Sequence, residues 1–351
     1  MTSEEAYRAV AEQGIHLLRL PTPFMIGRTN CYLIEDEPLT LIDTGANSGK
    51  GLDELERQLG ALGHAIDELE LVILTHQHID HIGLAEVIAS RSGADVASID
   101  VAVELLSNFG ESAEADDQFA ASLMLGQGVP EDVVTALQSV SRSFRAWGSR
   151  PKVTRPLADG EMLRLRDRTL EVQHRPGHSP SDTLFWDAER RILFAADHLI
   201  AHASSNALIT PPLDGSAERT QALVTYIASM RRTRELPAEI VLSGHGDAIT
   251  DHVKLIDERF ERHRRRAARI HELLVEQPRT GYEIAQELWG DIAVTQAFLT
   301  TSEVIGHLDL LANAGRVREL DDDRVSRWEA IGEGPLGDVV LVDAAAPAID
   351  A

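Results

Sequence analysis

Three histidines and an aspartate lie within six residues of the sequence, in the order His76, His78, Asp80 and His81. They follow the apolar run 71–74, which predicts a buried strand that delivers them into a turn at its carboxyl end. So many polar side chains cannot all be buried without partners. Neutral imidazole and carboxylate groups bind zinc, and also iron or manganese. The segment therefore predicts a metal site.

Further predicted strands also end on histidine or aspartate. Each is a short run rich in leucine, isoleucine and valine. The polar residues that follow these runs are Asp43 after 39–42, His174 and His178 after 169–173, Asp197 and His198 after 191–195, and His245 after 239–242. Glycine near most of these ends lets the backbone turn sharply and approach an ion. We expect these side chains to meet at one edge of a sheet.

Apolar patterning predicts an α/β fold for about the first 250 residues. Predicted strands alternate with predicted helices. The strands are 31–34, 39–42, 71–74, 169–173, 191–195 and 239–242, and the helices are 52–62, 84–91 and 217–234. A mostly helical insertion at about 101–150 separates two sets of candidate ligands. Its position favours a cap over the active site, with a helical hairpin packed on the sheet as the alternative.

A second domain is predicted after the catalytic domain 1–250. Helices are expected at 252–276, 281–288 and 295–314, followed by a hairpin of 316–320 and 325–328. Helices followed by a hairpin suggest a small winged-helix-like domain over 251–330. Residues 331–351 are rich in glycine, alanine, proline and aspartate, and are predicted to form a loosely held tail.

Composition limits the classes of function. The formal net charge of −24 over 351 residues repels phosphates, which argues against a nucleic acid substrate. No apolar run approaches the roughly 18 residues that span a bilayer, and no secretory signal is recognisable. The single cysteine, Cys31, forms no intrachain disulfide and fits a reducing compartment. We expect a cytoplasmic protein that does not bind membranes.

The succession HxHxDH, GH, a strand-ending aspartate and GHG resembles the metallo-β-lactamase-fold hydrolases over about residues 30–247. The resemblance implies a four-layer αββα sandwich with a metal site at one edge between the sheets. It also implies that Asp43 does not bind a metal itself and helps to orient the residues that do. The implied ligands are His76, His78 and His178 for a first metal, Asp80, His81 and His245 for a second, and Asp197 as the bridge between them.

Two further features of the sequence bear on this resemblance. This chain has Ser181 where the family usually has glycine, which affects the loop after His178 rather than that ligand. Residues 307–317 resemble the small C-terminal winged-helix-like domain of one branch of these hydrolases. That extra domain and the family together lead us to expect a homodimer.

The implied cofactors are two divalent ions, zinc first, with iron or manganese as alternatives. Their four positive charges would exceed the three negative charges of Asp80, Asp197 and a bridging hydroxide. The net positive charge that is left would stabilise an oxyanion. Metal-bound hydroxide is available near neutral pH and would attack a carbonyl carbon. Asp80 is the candidate catalytic residue that holds the water or shuttles a proton. No GxSxG elbow, P-loop or GxGxxG motif is present.

The leading functional hypothesis is hydrolysis of an ester, a thioester of glutathione or coenzyme A type, or a lactone of a small metabolite. The first alternative is an endoribonuclease of the same fold, for which the arginine-rich run 262–269 could bind phosphates, although such a run is usually a solvated helix face.

The second alternative is a persulfide dioxygenase with one iron at His76, His178 and Asp197. Two further histidines, His198 and His202, follow Asp197 and could line the substrate pocket. Each is more often a hydrogen-bonded structural residue.

Overall fold

The computed structural model describes residues 1–213, 215–216, 218–320 and 325–332. The chain forms two compact units that alternate along the sequence. The first comprises Met1–Ala113, Phe144–Ser205 and Leu236–His252, and the second Glu114–Ser143, Asn206–Glu235 and the described residues from Val253 onward. The second unit thus contains more than the predicted domain 251–330, whose boundaries stay a prediction. The predicted tail lies outside the described residues beyond Gly332.

The first unit contains a six-stranded sheet. Its strands are Ile15–Leu20 (β1), Thr29–Ile34 (β2), Thr40–Ile42 (β3), Leu71–Leu74 (β4), Asp95–Ile99 (β5) and Arg155–Leu157 (β6), in that spatial order. The first three strands are antiparallel, and β3 to β6 run parallel. The carboxyl ends of β3 and β4 therefore reach the same edge, which places Asp43 beside the segment that begins at Thr75.

A five-stranded sheet completes the strands of the first unit. Its strands are Met162–Arg164 (β7), Thr169–His174 (β8), Thr183–Asp187 (β9), Ile192–Ala196 (β10) and Ile240–Ser243 (β11). Only β10 and β11 are parallel, so Asp197 and His245 emerge at one edge. There the N–H of Asn30, in β2, donates to the Gly244 carbonyl at 2.7 Å. This bond joins the two sheets at that edge.

The two sheets share one hydrophobic core. Every residue of β4 and β10 is buried, which explains why these strands read as continuous apolar runs rather than as alternating ones. The helices of this unit are Ser3–Ala11 (α1), Gly49–Ala61 (α2), Ile79–Ile82 (α3), Ala85–Ser92 (α4) and Val103–Ser107 (α5). Helix α2 shows how they pack, since it buries Leu55 and Leu59, one turn apart on one face.

Helices dominate the second unit. The remaining helices of the chain are Phe109–Gly126 (α6), Glu131–Phe144 (α7), Ala222–Arg234 (α8), His252–Glu276 (α9), Gly281–Trp289 (α10), Ile292–Thr295 (α11) and Ala297–Asn313 (α12). Three short strands follow the order β12-β14-β13, with Arg279–Thr280 (β12), Val317–Leu320 (β13) and Arg327–Ala330 (β14). Helix α9 has the predicted bounds. No helix among the described residues is long and apolar enough to cross a membrane.

Gly83, directly after α3, lies against the backbone of two other segments. A Cβ at this position would clash with the Asn47 nitrogen and lie 2.5 Å from the Trp147 carbonyl oxygen. Because backbone cannot move aside, Gly83→Ala should lower the free energy of unfolding by about 1–3 kcal/mol in urea titrations. Gly60 in α2 is the control, since nothing lies within 4 Å of its Cβ position. Gly60→Ala should raise stability by about 0.5–1 kcal/mol.

Candidate metal centre

The ring nitrogens of His76, His78 and His178 converge on one point. Nδ1 of His78 lies 3.1 Å from Nε2 of His76 and 3.0 Å from Nε2 of His178. The loop that carries His178 is held by Asp182, which accepts hydrogen bonds from the Ser179 N–H at 2.9 Å and hydroxyl at 2.6 Å. Three nitrogens bound tetrahedrally to zinc at about 2.0–2.1 Å would be roughly 3.3 Å apart. The cluster therefore fits a divalent cation.

A second cluster adjoins the first. Nε2 of His245 lies 3.3 Å from Oδ2 of Asp80, and Nε2 of His81 lies 4.0 Å from the same oxygen. Asp197 faces both clusters: its Oδ1 is 3.5 Å from His81 Nε2, and its Oδ2 is 3.4 Å from His245 Nε2 and 3.7 Å from His178 Nε2. The structure thus brings together all seven residues predicted as ligands, while their metal-binding roles stay a prediction.

Asp43 fixes the orientation of two of these histidines. Its Oδ2 accepts hydrogen bonds from His81 Nδ1 at 2.7 Å and from the Thr75 hydroxyl at 2.8 Å. Oγ1 of Thr75 lies 3.0 Å from Nδ1 of His76 and, because it donates its own hydrogen to Asp43, it accepts from that ring. With Nδ1 protonated, both rings present the Nε2 lone pair to the site.

Two buried atoms of the second cluster lack hydrogen bonds. Within the described ranges, Nε2 of His81 and Oδ1 of Asp197 have no hydrogen-bond partner. These two atoms lie 3.5 Å apart as an ion pair without hydrogen-bond geometry. The Nδ1 of His245 is satisfied by the Arg28 carbonyl at 3.0 Å, which leaves its Nε2 to face the carboxylates. A cation bound here would satisfy the two orphaned atoms, so the donor set fits a metal.

The two clusters differ in their affinity for protons. Burial lowers the pKa of His78 to about 3, so this ring is neutral and its lone pair is available. Burial also disfavours the charged form of His245, but the carboxylates of Asp197 and Asp80 outweigh it and raise the pKa of His245 to about 10. The pKa of His81 is likewise raised well above its usual value. A cation entering the second cluster must therefore displace protons.

Three further residues contribute to the site although they are not candidate ligands. Gly244 is required because a Cβ there would clash with Oδ1 of Asp197 and lie 2.9 Å from Cε1 of His81. Thr75 relays a hydrogen bond, and Arg28 contributes only its backbone carbonyl. Glycines near strand ends were a recognisable pattern, whereas a threonine hydroxyl and a backbone carbonyl were not.

The weaker candidates lie beside the two clusters. His198 is buried, and burial and the nearby Arg175 lower its pKa to about 3. His202 is exposed, with its ring against Gly246 in the loop of His245. The role of both histidines in a substrate pocket stays a prediction.

Ser181 and His174 both donate hydrogen bonds that hold the loop around His178. The Ser181 hydroxyl donates to Oε1 of Gln77, within the HxHxDH segment. Nε2 of His174 donates to the Pro180 carbonyl at 2.8 Å. The serine that replaces the usual glycine therefore links the two loops that carry the first cluster.

The second unit contains one more histidine–carboxylate group, His263, Glu303 and His307. Nδ1 of His263 lies 3.2 Å from Nε2 of His307, whose Nδ1 donates to the Glu303 carbonyl at 2.7 Å. The Glu303 carboxylate forms an ion pair with Arg266. That positive charge opposes a cation, so we assign no metal to this group.

Replacing Asp43 tests the orienting network. Asp43→Asn removes the negative charge that accepts hydrogen bonds from His81 and Thr75. We expect metal affinity to fall about 10–100-fold, which is typical when a residue that orients a metal ligand is replaced. Competition with a chromogenic chelator measures the affinity. The control is Asp36→Asn, a buried aspartate paired with Arg168, which should alter stability and leave metal affinity unchanged. Equal affinities in all three proteins would disprove the orienting role.

Metal loading should release protons from the second cluster. Since the pKa of His245 is about 10, its proton is bound at neutral pH and competes with the cation. Affinity at this cluster should therefore rise with pH through the neutral range. At the first cluster, where the pKa of His78 is about 3, no proton on His78 competes with the cation above about pH 5. Calorimetry in buffers of different protonation enthalpy measures the release, and His245→Ala should abolish the pH-dependent component.

Comparison with known proteins identifies the family. The family model described as the Metallo-beta-lactamase superfamily matches residues 26–245. The probable metallo-hydrolase YqjP of Bacillus subtilis is 31% identical over 317 residues, which cover 90% of this chain and 96% of that protein. Hydroxyacylglutathione hydrolase GloC of Haemophilus influenzae is 26% identical over 239 residues, 65% of this chain and 90% of that protein.

A solved structure confirms the predicted fold class. The crystal structure of a metallo-beta-lactamase family protein from Thermus thermophilus matches with a TM-score of 0.77 and 25% identity, covering 91% of this chain and 99% of that one. The α/β architecture with its two sheets is therefore that of the metallo-β-lactamase fold, and the histidine–aspartate clusters at its edge fit divalent metal ions. The chain belongs to the metallo-beta-lactamase superfamily and is a metallo-hydrolase.

Proposed function

We propose that this chain is a dinuclear hydrolase that cleaves a thioester of glutathione or coenzyme A type, with an ester or lactone as the neighbouring substrate classes. The observation that carries the dinuclear part is the position of Asp197. One carboxylate lies 3.7 Å from His178 Nε2 of the first cluster and 3.4 Å from His245 Nε2 of the second. A carboxylate shared in this way suits two cations about 3.5–4 Å apart.

Two divalent cations, most simply zinc, supply an activated water at neutral pH and polarise a carbonyl group when they are bound. The chain contributes the placement of the ligands and a proton acceptor. Burial disfavours the charged form of Asp80, but His81 and His245 outweigh it and lower the pKa of Asp80. Its carboxylate therefore stays ionised beside the reacting centre, and the oxygen that does not hold a cation can accept a proton there.

The balance of charge favours a reaction that develops an oxyanion. Of the seven candidate ligands, only Asp80 and Asp197 are carboxylates, and the histidines are neutral as ligands. Two divalent cations would thus bring more positive charge than the ligands neutralise. Attack on a thioester carbonyl places negative charge on its oxygen, which this excess stabilises. The hydroxyacylglutathione hydrolase among the relatives supports a thioester of this type.

The arginine-rich run on α9 gives little support to a nuclease. Arg264 and Arg265 both pair with Glu261, and Arg269 pairs with Glu272. Neighbouring carboxylates therefore neutralise much of the charge that a phosphate backbone would need. The net charge of −24 acts in the same direction. Both observations favour a small-molecule substrate.

Asp197→Asn and His245→Ala test the dinuclear hydrolase. Zinc-loaded protein should release thiol from acylglutathione or acyl-coenzyme A substrates, followed with a thiol reagent. Asp197→Asn should lower kcat/KM by more than about 100-fold, because its carboxylate faces both clusters directly. Replacing a residue that only orients one ligand typically costs about 10–100-fold. His245→Ala should lower the metal content from about two ions per chain to about one, because the first cluster is unchanged.

The matched control is His64→Gln, which alters a histidine that bonds Glu35 at 3.0 Å and should leave activity and metal content unchanged. About one iron per chain with oxygen uptake would instead indicate the dioxygenase. Cleavage of RNA that is lost in Asp197→Asn would indicate the nuclease.

A further inference from the structure

Glycine lies on both sides of His245, in the loop that follows β11. Because Gly244 and Gly246 lack a Cβ, the backbone around this candidate ligand has more conformational freedom than other residues would give it. Gly246 adopts a left-handed conformation, with φ at 71°. The Arg28 carbonyl holds only the ring of His245, through Nδ1. The backbone of the loop is therefore fixed by other groups.

Two side chains of β2 hold the carbonyl oxygens before and after His245. The Ser243 carbonyl accepts hydrogen bonds from the Tyr32 hydroxyl at 2.6 Å and from Nδ2 of Asn30 at 3.0 Å. The same Nδ2 also donates to the Gly246 carbonyl at 3.0 Å. Both side chains are buried. One amide group thus links the two ends of the segment that carries the candidate ligand.

Helix α1 supplies a further donor to the same loop. The Tyr7 hydroxyl donates to the Gly246 carbonyl at 3.1 Å. Nearer the start of the helix, the Ser3 hydroxyl oxygen accepts a hydrogen bond from the Ala248 N–H at 2.9 Å. Helix α1 therefore contacts the loop at two points, and both lie on the carboxyl-terminal side of His245.

Tyr7 is held in place from two directions. Ala6 and Val10, one turn apart on α1, are buried in the hydrophobic core of the first unit. The guanidinium carbon of Arg19 lies 5.5 Å from the centroid of the Tyr7 ring, which is a cation–π contact. The same guanidinium group lies 3.4 Å from the Gly246 carbonyl oxygen. The phenol therefore meets the loop from a fixed position.

We propose that α1 is a positioning element for His245 and that Tyr7 is its positioning residue, so that the affinity of the second cluster for a cation depends on this helix. The inference rests on the proposed function, which requires that cation, and deepens it. Nε2 of His245 faces the carboxylates of Asp80 and Asp197 at 3.3 and 3.4 Å. A loop that moved about its two glycines would lose this orientation, and orientation of a ligand is what surrounding groups contribute to metal affinity.

Tyr7→Phe removes the hydroxyl and keeps the ring on α1. A net hydrogen bond is worth about 2–10-fold in an equilibrium constant, so the zinc affinity of the second cluster should fall by that factor. The affinity of the first cluster should stay unchanged, because none of its candidate ligands lies on this loop. Competition with a chromogenic chelator measures both affinities, and the one that is lost in His245→Ala belongs to the second cluster.

Tyr226→Phe is the matched control. Tyr226 is a buried tyrosine of α8, in the second unit. Loss of its hydroxyl should leave both zinc affinities unchanged, whatever it does to the free energy of unfolding. A purely structural effect of removing a phenol is thereby distinguished from an effect on the loop of His245.

A measurement on the metal-free protein separates this inference from the proposed function. The Nδ1–H of His245, which donates to the Arg28 carbonyl, should give a slowly exchanging imidazole proton signal in NMR spectra, assigned by its loss in His245→Ala. Tyr7→Phe should raise its exchange rate about 2–10-fold and leave that of the His81 Nδ1–H, bonded to Asp43, unchanged.

That result would support the positioning role even in a protein that binds one cation or cleaves no thioester. Equal exchange rates in the wild type and Tyr7→Phe would overturn the role of Tyr7. An unchanged affinity of the second cluster in a protein that binds two cations would overturn it as well.

Discussion

The buried carboxylate of Asp197 is the charge on which the arrangement of the site depends. It lies between two groups of imidazoles and faces three of them at 3.4 to 3.7 Å. Burial alone would favour its neutral form, but His245 and His81 hold the pKa of Asp197 well below its usual value. An ionised carboxylate at this depth requires positive charge nearby. Protons on these histidines provide it in the free protein, and cations can take their place.

The backbone adopts strained conformations at two strand ends beside the site. Asp43 and Ala196 are two of the three non-glycine residues with positive φ among the described residues, at 57° and 43°. Asp43 follows β3 and Ala196 ends β10, so both turns lie where strands reach the site. Conformations of this kind cost about 1–3 kcal/mol each and persist where the surroundings fix them. The fully buried strands that precede them provide that constraint.

Much of the centre could be predicted because apolar strands ended on histidine or aspartate. The strand Leu71–Leu74 has the predicted bounds because its apolar run ends directly before the polar segment that begins at Thr75. Thr183–Asp187 was missed although all its residues are buried, because a polar residue stands at each end and the run is short. The contacts of Thr75 and Arg28 depend on tertiary packing, and the alternation of the second unit along the chain depends on long-range contacts that local patterning does not encode.

The bond that orients His245 does not depend on the side chains of the loop that supplies it. Arg28 holds His245 through a backbone carbonyl, which any residue type at that position would supply. Met25 contributes only a side chain that is almost wholly in solvent. The side chains of this loop can therefore change without changing the bond that orients the candidate ligand. Substitutions at the tip should leave this bond in place, whereas changes in the path of the backbone should alter the orientation of His245.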